Sequence, residues 1–326
     1  MKPGKRVPEL DVLRGIAIFG VLVLHSGFKS RFTDETMAVQ ATMARLFDWA
    51  VLAFFFSSGF LHDRSVPFVI ILKKRFVSLL VTFVVYNAFY NICFAVIDGS
   101  GWVHKGYLDM RSAFLFAGVF QSPAFQLYFL PYLFVVTTGV SALEKLSLRR
   151  SGWVHAALLV MVLGFYIVRG YPEISYGPAL SKLPMYLAAF LIGVIGRPFF
   201  EVPFALPWMA LAGLGVMLGV LVFCRSRAVS LFVPPLMAGV AGAVPMIRQS
   251  KLLLQMGKMS GSIYLWHTPV MLPAITRFLA YCGISSLFNF FGSVVLTLAS
   301  CVVLRAGLDA LFMHIAKREP PKYITL

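Results

Sequence analysis

Long apolar runs alternate along this chain with short segments that are rich in basic and turn-forming residues. A helix of about 17 to 25 apolar residues is long enough to cross a lipid bilayer. Runs that approach this length occupy residues 10–28, 46–61, 76–97, 127–143, 153–168, 180–196, 206–223, 228–247, 262–281 and 287–313. The pattern therefore predicts an all-α fold, a polytopic transmembrane helical bundle with about ten spans.

The composition agrees with this prediction. Hydrophobic residues make up 59% of the 326 residues and charged residues only 13%, which is too much apolar surface for a soluble core. The net charge of +16 would suggest a nucleic-acid partner in a soluble protein. Here the basic residues form short clusters between apolar runs, which is how membrane topology is encoded. We expect membrane lipid around the protein and no nucleic-acid function.

The basic clusters also predict the orientation of the chain. Most of them fall on one side of the membrane when the amino terminus is cytoplasmic, so both termini are predicted inside. On this topology residues 29–45 are an outer loop. The longest loop, about 98–126, is partly apolar, and an interfacial helix over 107–119 is one interpretation of it. No loop is long enough for a separate folded domain, so residues 1–326 are expected to form a single membrane domain.

The first apolar run carries two side chains that lipid disfavours. Arg14 and His25 both lie in ELDVLRGIAIFGVLVLHSG, residues 9–27. Each such group costs about 2 to 3 kcal/mol at membrane depth unless it faces a cavity, a partner or a substrate. Eleven positions at about 100° each bring both side chains to one helix face, about 16 Å apart along the axis. Asp11, one turn before Arg14, is expected to neutralise and orient the guanidinium.

Two interpretations of this run stay open. In the first, Arg14 and Asp11 anchor one membrane interface and His25 the other. In the second, they line a polar path, with a fixed cation near the cytoplasm and a titratable base toward the outer face. A second histidine deep in a late span, His267, favours the polar path.

Two aromatic segments carry polar residues. FFFSSGFL, residues 54–61, contains Ser58, and close packing of helices is the favoured interpretation of its small residues. His62 and Asp63 follow it and are expected to be solvated. QLYFLPYL, residues 126–133, contains Tyr128 and by itself is typical of a membrane interface.

A basic segment and a late histidine segment complete the candidates. KKRF either anchors the cytoplasmic side or binds an anionic group, and its cations are Lys73, Lys74 and Arg75. GKMSGSIYLWHTPV, residues 257–270, carries His267 shortly after Tyr264 and Trp266. That histidine either bonds to a neighbouring helix or lines a cavity. In the last span, Arg305 and Asp309 are four residues apart and are expected to pair. Four scattered cysteines have no metal-binding spacing, so no metal is expected.

Taken in order, the segments LDVLRGIAIFGVLVLH, FFFSSGFL, KKRF, LYFLPYL and GKMSGSIYLWHTPV resemble the integral-membrane acyltransferase-3 family. The resemblance extends over most of the chain and is most specific in the first and the last of these segments. Members of that family O-acylate sugars. The resemblance implies acetyl-CoA or another acyl-CoA as donor, and as acceptor a hydroxyl of a surface polysaccharide or a lipid-linked glycan. It also implies a bacterial cytoplasmic (inner) membrane protein.

The resemblance further implies roles for single residues. His25 matches the catalytic base, and Arg14 matches an arginine that acts on the acyl-CoA side. A histidine kept from water stays neutral and can accept the hydroxyl proton. Donor phosphates have weaker candidates in Lys73, Lys74 and Arg75, and the acceptor or accessory candidates are His267, Tyr264, Trp266, Tyr128 and Ser58. The alternative is a proton-coupled transporter or flippase, in which Arg14, His25 and His267 form a path without covalent chemistry.

Overall fold

The structure is a computed structural model. It describes residues 7–26, 33–98, 125–146, 152–169, 182–198 and 230–316. Every regular element within these ranges is a helix, and no strand occurs in them. The prediction of an all-α fold is therefore confirmed for the described part of the chain.

Thirteen α-helices lie in the described ranges, and in two places a π-helical turn joins consecutive helices. In chain order they are α1 (Pro8–Ser26), α2 (Asp34–Leu46), α3 (Ala50–Phe60), α4 (Phe68–Arg75), α5 (Thr82–Asp98), α6 (Phe129–Leu146), α7 (Gly152–Arg169), α8 (Leu183–Gly196), α9 (Val233–Ala243), α10 (Pro245–Arg248), α11 (Lys251–Trp266), α12 (Leu272–Tyr281) and α13 (Ser286–Ala316). The π turns are Phe76–Val81 and His267–Met271.

Three of the described helical stretches are long and apolar enough to cross a membrane. They are Asp34–Phe60, Gln126–Lys145 and Ser286–Leu311. Shorter apolar helices cover Val154–Leu163, Leu183–Gly196 and Val233–Ala243. The count of ten spans and the cytoplasmic placement of the termini stay predictions. The expected span at 206–223 and the interfacial helix at 107–119 lie outside the described residues.

Helix α2 corrects the expectation of a loop over residues 29–45. Thr33 caps its first turn, where the threonine hydroxyl accepts the amide N–H of Thr36. Asp34 and Glu35 follow in the first turn, where their negative charges interact favourably with the helix dipole and stabilise the helix. A search for apolar runs misses this helix because polar residues interrupt its apolar ones: Asp34, Glu35, Thr36, Gln40, Thr42 and Arg45.

The chain divides into two compact units. One comprises Met1–Glu9 and Val51–Arg248 and is called here the central unit. The other comprises Leu10–Ala50 and Gln249–Leu326 and is called the terminal unit. The expectation of a single membrane domain stays a prediction, and each unit is described by itself.

Within the terminal unit, two glycines let α1 and α11 approach at backbone contact. A Cβ on Gly257 of α11 would overlap the carbonyl group of Asp11 in α1. A Cβ on Gly15 of α1 would likewise overlap the carbonyl of Leu253 in α11. Small residues at a helix crossing replace side-chain contact by backbone contact. These two glycines therefore set the distance between the helices that carry His25 and His267.

The C-terminal hairpin of the same unit, α12 and α13, turns at Gly283. Its φ of 74° is a left-handed conformation that glycine adopts at little cost. Asn289 of α13 donates its side-chain N–H to the carbonyl of Thr276 in α12 over 3.0 Å. Much of α13 is apolar and exposed, as at Phe288 (74%) and Val303 (71%). Such a surface suits lipid and not water.

The central unit uses a second pair of glycines, between α3 and α8. A Cβ on Gly59 would overlap the carbonyl of Phe190, and a Cβ on Gly193 would overlap the carbonyl of Phe56. Gly59 belongs to the FFFSSGFL segment. The predicted role of that segment in close helix packing is therefore confirmed at this glycine.

Candidate active site

His25 and His267 come together in the terminal unit. Their ring centroids are 5.2 Å apart, and the ring planes are tilted by 54°. His25 lies in the last turn of α1 and is partly exposed, whereas His267 has no exposed surface. The sequence separates the two residues by more than two hundred positions, so only the packing of α1 against α11 and the turn that follows it makes them neighbours.

The position of His267 depends on a break in its helix. Thr268, the next residue, has an extended backbone with φ −129° and ψ 157°. Pro269 follows it, and the residue before a proline is driven from the helical to the extended region by a steric clash. Helix α11 therefore ends at Trp266, with His267 as its cap.

The break also gives the imidazole of His267 a backbone partner. In an uninterrupted helix the carbonyl of Tyr264 would accept the amide of Thr268. Here that carbonyl accepts a hydrogen bond from Nδ1 of His267 at 2.7 Å, and the carbonyl of Ile263 lies 3.2 Å from the same nitrogen. The ring nitrogen on the other side, Nε2, lies 3.3 Å from the hydroxyl of Thr268. Both nitrogens of His267 are thus engaged.

Tyr264 and Trp266 lie at the C-terminal end of α11, immediately before His267. The ring of Tyr264 is buried, with its centroid 5.8 Å from that of His267. Trp266 is partly exposed. Tyr264 therefore packs directly beside the histidine pair.

Arg14 and Asp11 lie in α1, which is helical from Pro8 to Ser26. The regular helix places Arg14 on the same face as His25, about 16 Å along the axis. Asp11 is buried, and the backbone of Gly257 passes against its carbonyl. Arg14 is partly exposed. The pairing of Asp11 with Arg14 stays a prediction.

The remaining candidates lie in the central unit. Tyr128 accepts a hydrogen bond from the hydroxyl of Tyr186 over 3.2 Å, beside the buried ring of Tyr132. Phe55 stacks on Tyr186 with centroids 4.4 Å apart. Ser58 of α3 is 5% exposed. Tyr128 is thus the partly exposed edge of a packed aromatic cluster.

The three cations of the KKRF segment differ in exposure. Lys73, Lys74 and Arg75 form the last turn of α4. Both lysines are exposed, and Arg75 is partly buried. A partly buried guanidinium loses less entropy on binding an anion than a mobile lysine does. Arg75 is therefore the better placed of the three to hold a phosphate.

A polar cluster that the sequence did not predict lies in the central unit around Glu144. Its carboxylate is 2.8 Å from Nε2 of His62, 2.8 Å from Nε2 of His155 and 3.2 Å from Nε of Arg64. We call these four residues the Glu144 cluster. Arg64 also donates to Nδ1 of His155 at 3.3 Å. His62 and Arg64 are separated from Glu144 and His155 by eighty residues or more. No local sequence pattern therefore predicts the cluster.

The Glu144 cluster corrects the expectation that His62 is solvated. The side chain of His62 is buried, and the backbone carbonyl of His62 accepts a hydrogen bond from Arg197 at 3.1 Å. Asp63 is partly exposed and accepts hydrogen bonds from the side chain and the backbone of Ser65. These bonds hold the pKa of Asp63 below its ordinary value, the side-chain bond most of all.

The ion pair expected in the last span is present. Nε of Arg305 lies 2.9 Å from the carboxylate of Asp309, four residues later in α13. The same guanidinium donates to the hydroxyl of Ser262 in α11 at 3.4 Å. The pair therefore also ties α13 to the helix that leads to His267. Among the described residues, no group of three or more His, Cys, Asp or Glu side chains is arranged to hold a metal ion.

The comparisons with known proteins identify the class. The sequence matches the family model described as an acyltransferase domain over residues 7–306. This match covers most of the chain, and it is the class to which the resemblance of the five segments pointed. The chain belongs to the acyltransferase-3 family, and it is a membrane protein of the acyltransferase class. No curated protein and no solved structure matches it.

Proposed function

We propose that this protein is a membrane O-acyltransferase that moves an acetyl or short acyl group from acyl-CoA to a hydroxyl of a surface polysaccharide or a lipid-linked glycan. Membership of the acyltransferase family supports the reaction class and favours it over a transporter or flippase. The observation that carries the site is the contact of His25 with His267, at the end of a helix that bears Arg14 on the same face. The acyl-CoA donor, the glycan acceptor and the bacterial cytoplasmic membrane are parts of this proposal.

Direct transfer needs a base at the acceptor hydroxyl. In the proposed step a ring nitrogen of His25 takes the hydroxyl proton while the oxygen attacks the thioester carbonyl. The tetrahedral intermediate then collapses, the carbon–sulfur bond breaks, and the CoA thiolate takes the proton back from His25. The new ester and free CoA are the products.

His25 suits the role of base better than His267 does. It has exposed surface that a substrate can reach, whereas His267 is fully enclosed. Both ring nitrogens of His267 are also engaged by groups of its own segment. We therefore give His267 and its neighbour Tyr264 the accessory task of holding the base in place, and the partly exposed Trp266 a contact with the acceptor.

Arg14 is the proposed contact for the donor. Its charge is permanent, and a guanidinium binds phosphate oxygens through paired hydrogen bonds. The separation from His25, about 16 Å along α1, is comparable to a pantetheine arm. Arg14 can thus hold the far part of acyl-CoA while the thioester reaches His25. Phosphate contacts from Arg75, Lys73 and Lys74, and acceptor contacts from Tyr128 and Ser58, are further parts of the proposal.

The test uses proteoliposomes that contain the purified protein, radiolabelled acetyl-CoA and a glycan fraction. We expect label in the glycan with wild-type protein, none with His25→Ala, and a raised KM for acetyl-CoA with Arg14→Ala. Arg45→Ala, which removes an exposed arginine at the end of α2, is the matched control and should leave both constants unchanged. Near-normal transfer by His25→Ala would refute the mechanism. Uptake of a substrate without covalent label would support the transporter instead.

A further inference from the structure

Thr268 is a buried residue next to the histidine pair, and the proposed function above gives it no role. Its side chain is 4% exposed, and its hydroxyl lies 3.3 Å from Nε2 of His267. Because Thr268 is extended while its neighbours are helical, its hydroxyl points back to the preceding residue's ring. A helical threonine would instead bond a carbonyl three or four residues earlier, as Thr276 does with Leu272.

The contacts of His267 define which nitrogen carries its proton. Backbone carbonyls only accept hydrogen bonds, so Nδ1, at 2.7 Å from the carbonyl of Tyr264, must carry a proton. A fully enclosed imidazole is neutral because burying its charge is costly, so it has one proton and Nε2 has none. The Thr268 hydroxyl is then the donor and Nε2 the acceptor.

We propose that Thr268 is a positioning residue for acyl transfer, whose hydroxyl holds His267 in the Nδ1-protonated tautomer and occupies its Nε2 lone pair. This inference rests on the function proposed above, in which His25 is the base. His267 lies with its ring 5.2 Å from that of His25, close enough to compete for the same proton. With Nε2 already bonded to Thr268, the proton taken from the acceptor stays on His25 and is available to the leaving thiolate.

The first test is kinetic. Thr268→Val has the same shape but lacks the hydroxyl, so Nε2 of His267 loses its donor and becomes a second acceptor beside His25. We expect kcat to fall about tenfold, because one buried hydrogen bond to His267 is lost. KM for acetyl-CoA should stay unchanged within about twofold. Thr268→Ser keeps the hydroxyl and should restore kcat to within about threefold of wild type. Thr276→Val removes a buried threonine hydroxyl from α12 and should leave kcat unchanged.

The second test does not depend on activity. Histidines labelled with nitrogen-15 are observed by solid-state NMR in lipid bilayers, and the His267 signals are assigned from their loss in His267→Gln. We expect a neutral ring that is protonated at Nδ1 in the wild-type protein and in Thr268→Ser. In Thr268→Val the Nε2 signal should move, because that nitrogen has lost its hydrogen-bond donor.

The two tests separate the failure of this inference from the failure of the proposed function. An Nε2-protonated or a charged His267 in the wild-type protein would overturn the inference, whatever the activity. So would a folded Thr268→Val with normal kcat beside an inactive His25→Ala. If the wild-type protein transfers no acyl group to any acceptor, the proposed function fails, and the NMR result still decides the tautomer.

Discussion

Gly257 gives a direct test of how the histidine pair is held together. Replacement by alanine adds one methyl group, which would overlap the carbonyl of Asp11 and lie 2.9 Å from the Cα atom of that residue. The obstacle is backbone in the middle of α1 and not the flexible end of a side chain. The clash is therefore relieved only if α1 and α11 move apart.

Two opposing effects determine how much Gly257→Ala changes the free energy of unfolding. Added volume at a tight contact costs about 1 to 3 kcal/mol, and a clash with backbone belongs at the upper end of that range. Alanine in place of glycine inside a helix regains about 1 kcal/mol. We expect Gly257→Ala to lower the free energy of unfolding by about 2 kcal/mol. Gly307→Ala in α13 meets no atom within 4 Å, so the same change should raise it by about 1 kcal/mol.

Gly257→Ala should reduce the rate of acyl transfer by a larger factor than its loss of folding stability alone would explain. Separation of α1 from α11 moves His25 away from His267, and a displacement of about 1 Å at a reacting group can cost about a hundredfold in rate. The assay compares thermal unfolding of both variants in the same detergent, and acyl transfer well below their unfolding temperatures. Gly257→Ala should be folded and strongly impaired at that temperature, while Gly307→Ala should match wild type. If Gly257→Ala were as stable and as active as Gly307→Ala, the close contact of α1 with α11 would not be what positions the pair.

Three further predictions concern the central unit. Glu144→Gln should lower the free energy of unfolding by about 2 kcal/mol, because two buried imidazoles and a guanidinium lose their shared charge partner, and thermal unfolding of the purified variant measures it. Gly193→Ala should destabilise the contact of α3 with α8, whereas Gly139→Ala, which meets no atom within 4 Å, should not, as thermal unfolding would also show. Arg75→Ala should raise KM for acetyl-CoA about tenfold and Lys74→Ala by less than about twofold, and equal effects would argue against a special role for the partly buried guanidinium.

Local chemistry in the sequence explains several features of the fold and the candidate site. Arg14 and His25 share a face because α1 is a regular helix, and eleven positions return the side chain to nearly the same direction. Arg305 and Asp309 pair for a related reason, being one turn apart. The all-α class follows from apolar runs of helical length.

Local sequence patterns did not predict helix α2 or the burial of His62. Helix α2 was expected as a loop because its stability comes from capping by Thr33 and from packing against α13, not from an apolar run. His62 was expected to be solvated, yet it is buried against Glu144, a partner eighty-two residues away. A contact over that separation has no signature in either segment.

The sequence by itself determined the helical class and the shared face of Arg14 and His25. The apolar run over 262–281 predicts one continuous span, and the structure breaks it at Thr268, before Pro269. Only the tertiary structure decided that His25 and His267 meet, because their contact depends on two helices crossing at Gly15 and Gly257 with no side chain between them. Helical periodicity acts over a few residues and is written locally. The distance between two helices depends on which surfaces meet, and those surfaces lie far apart along the chain.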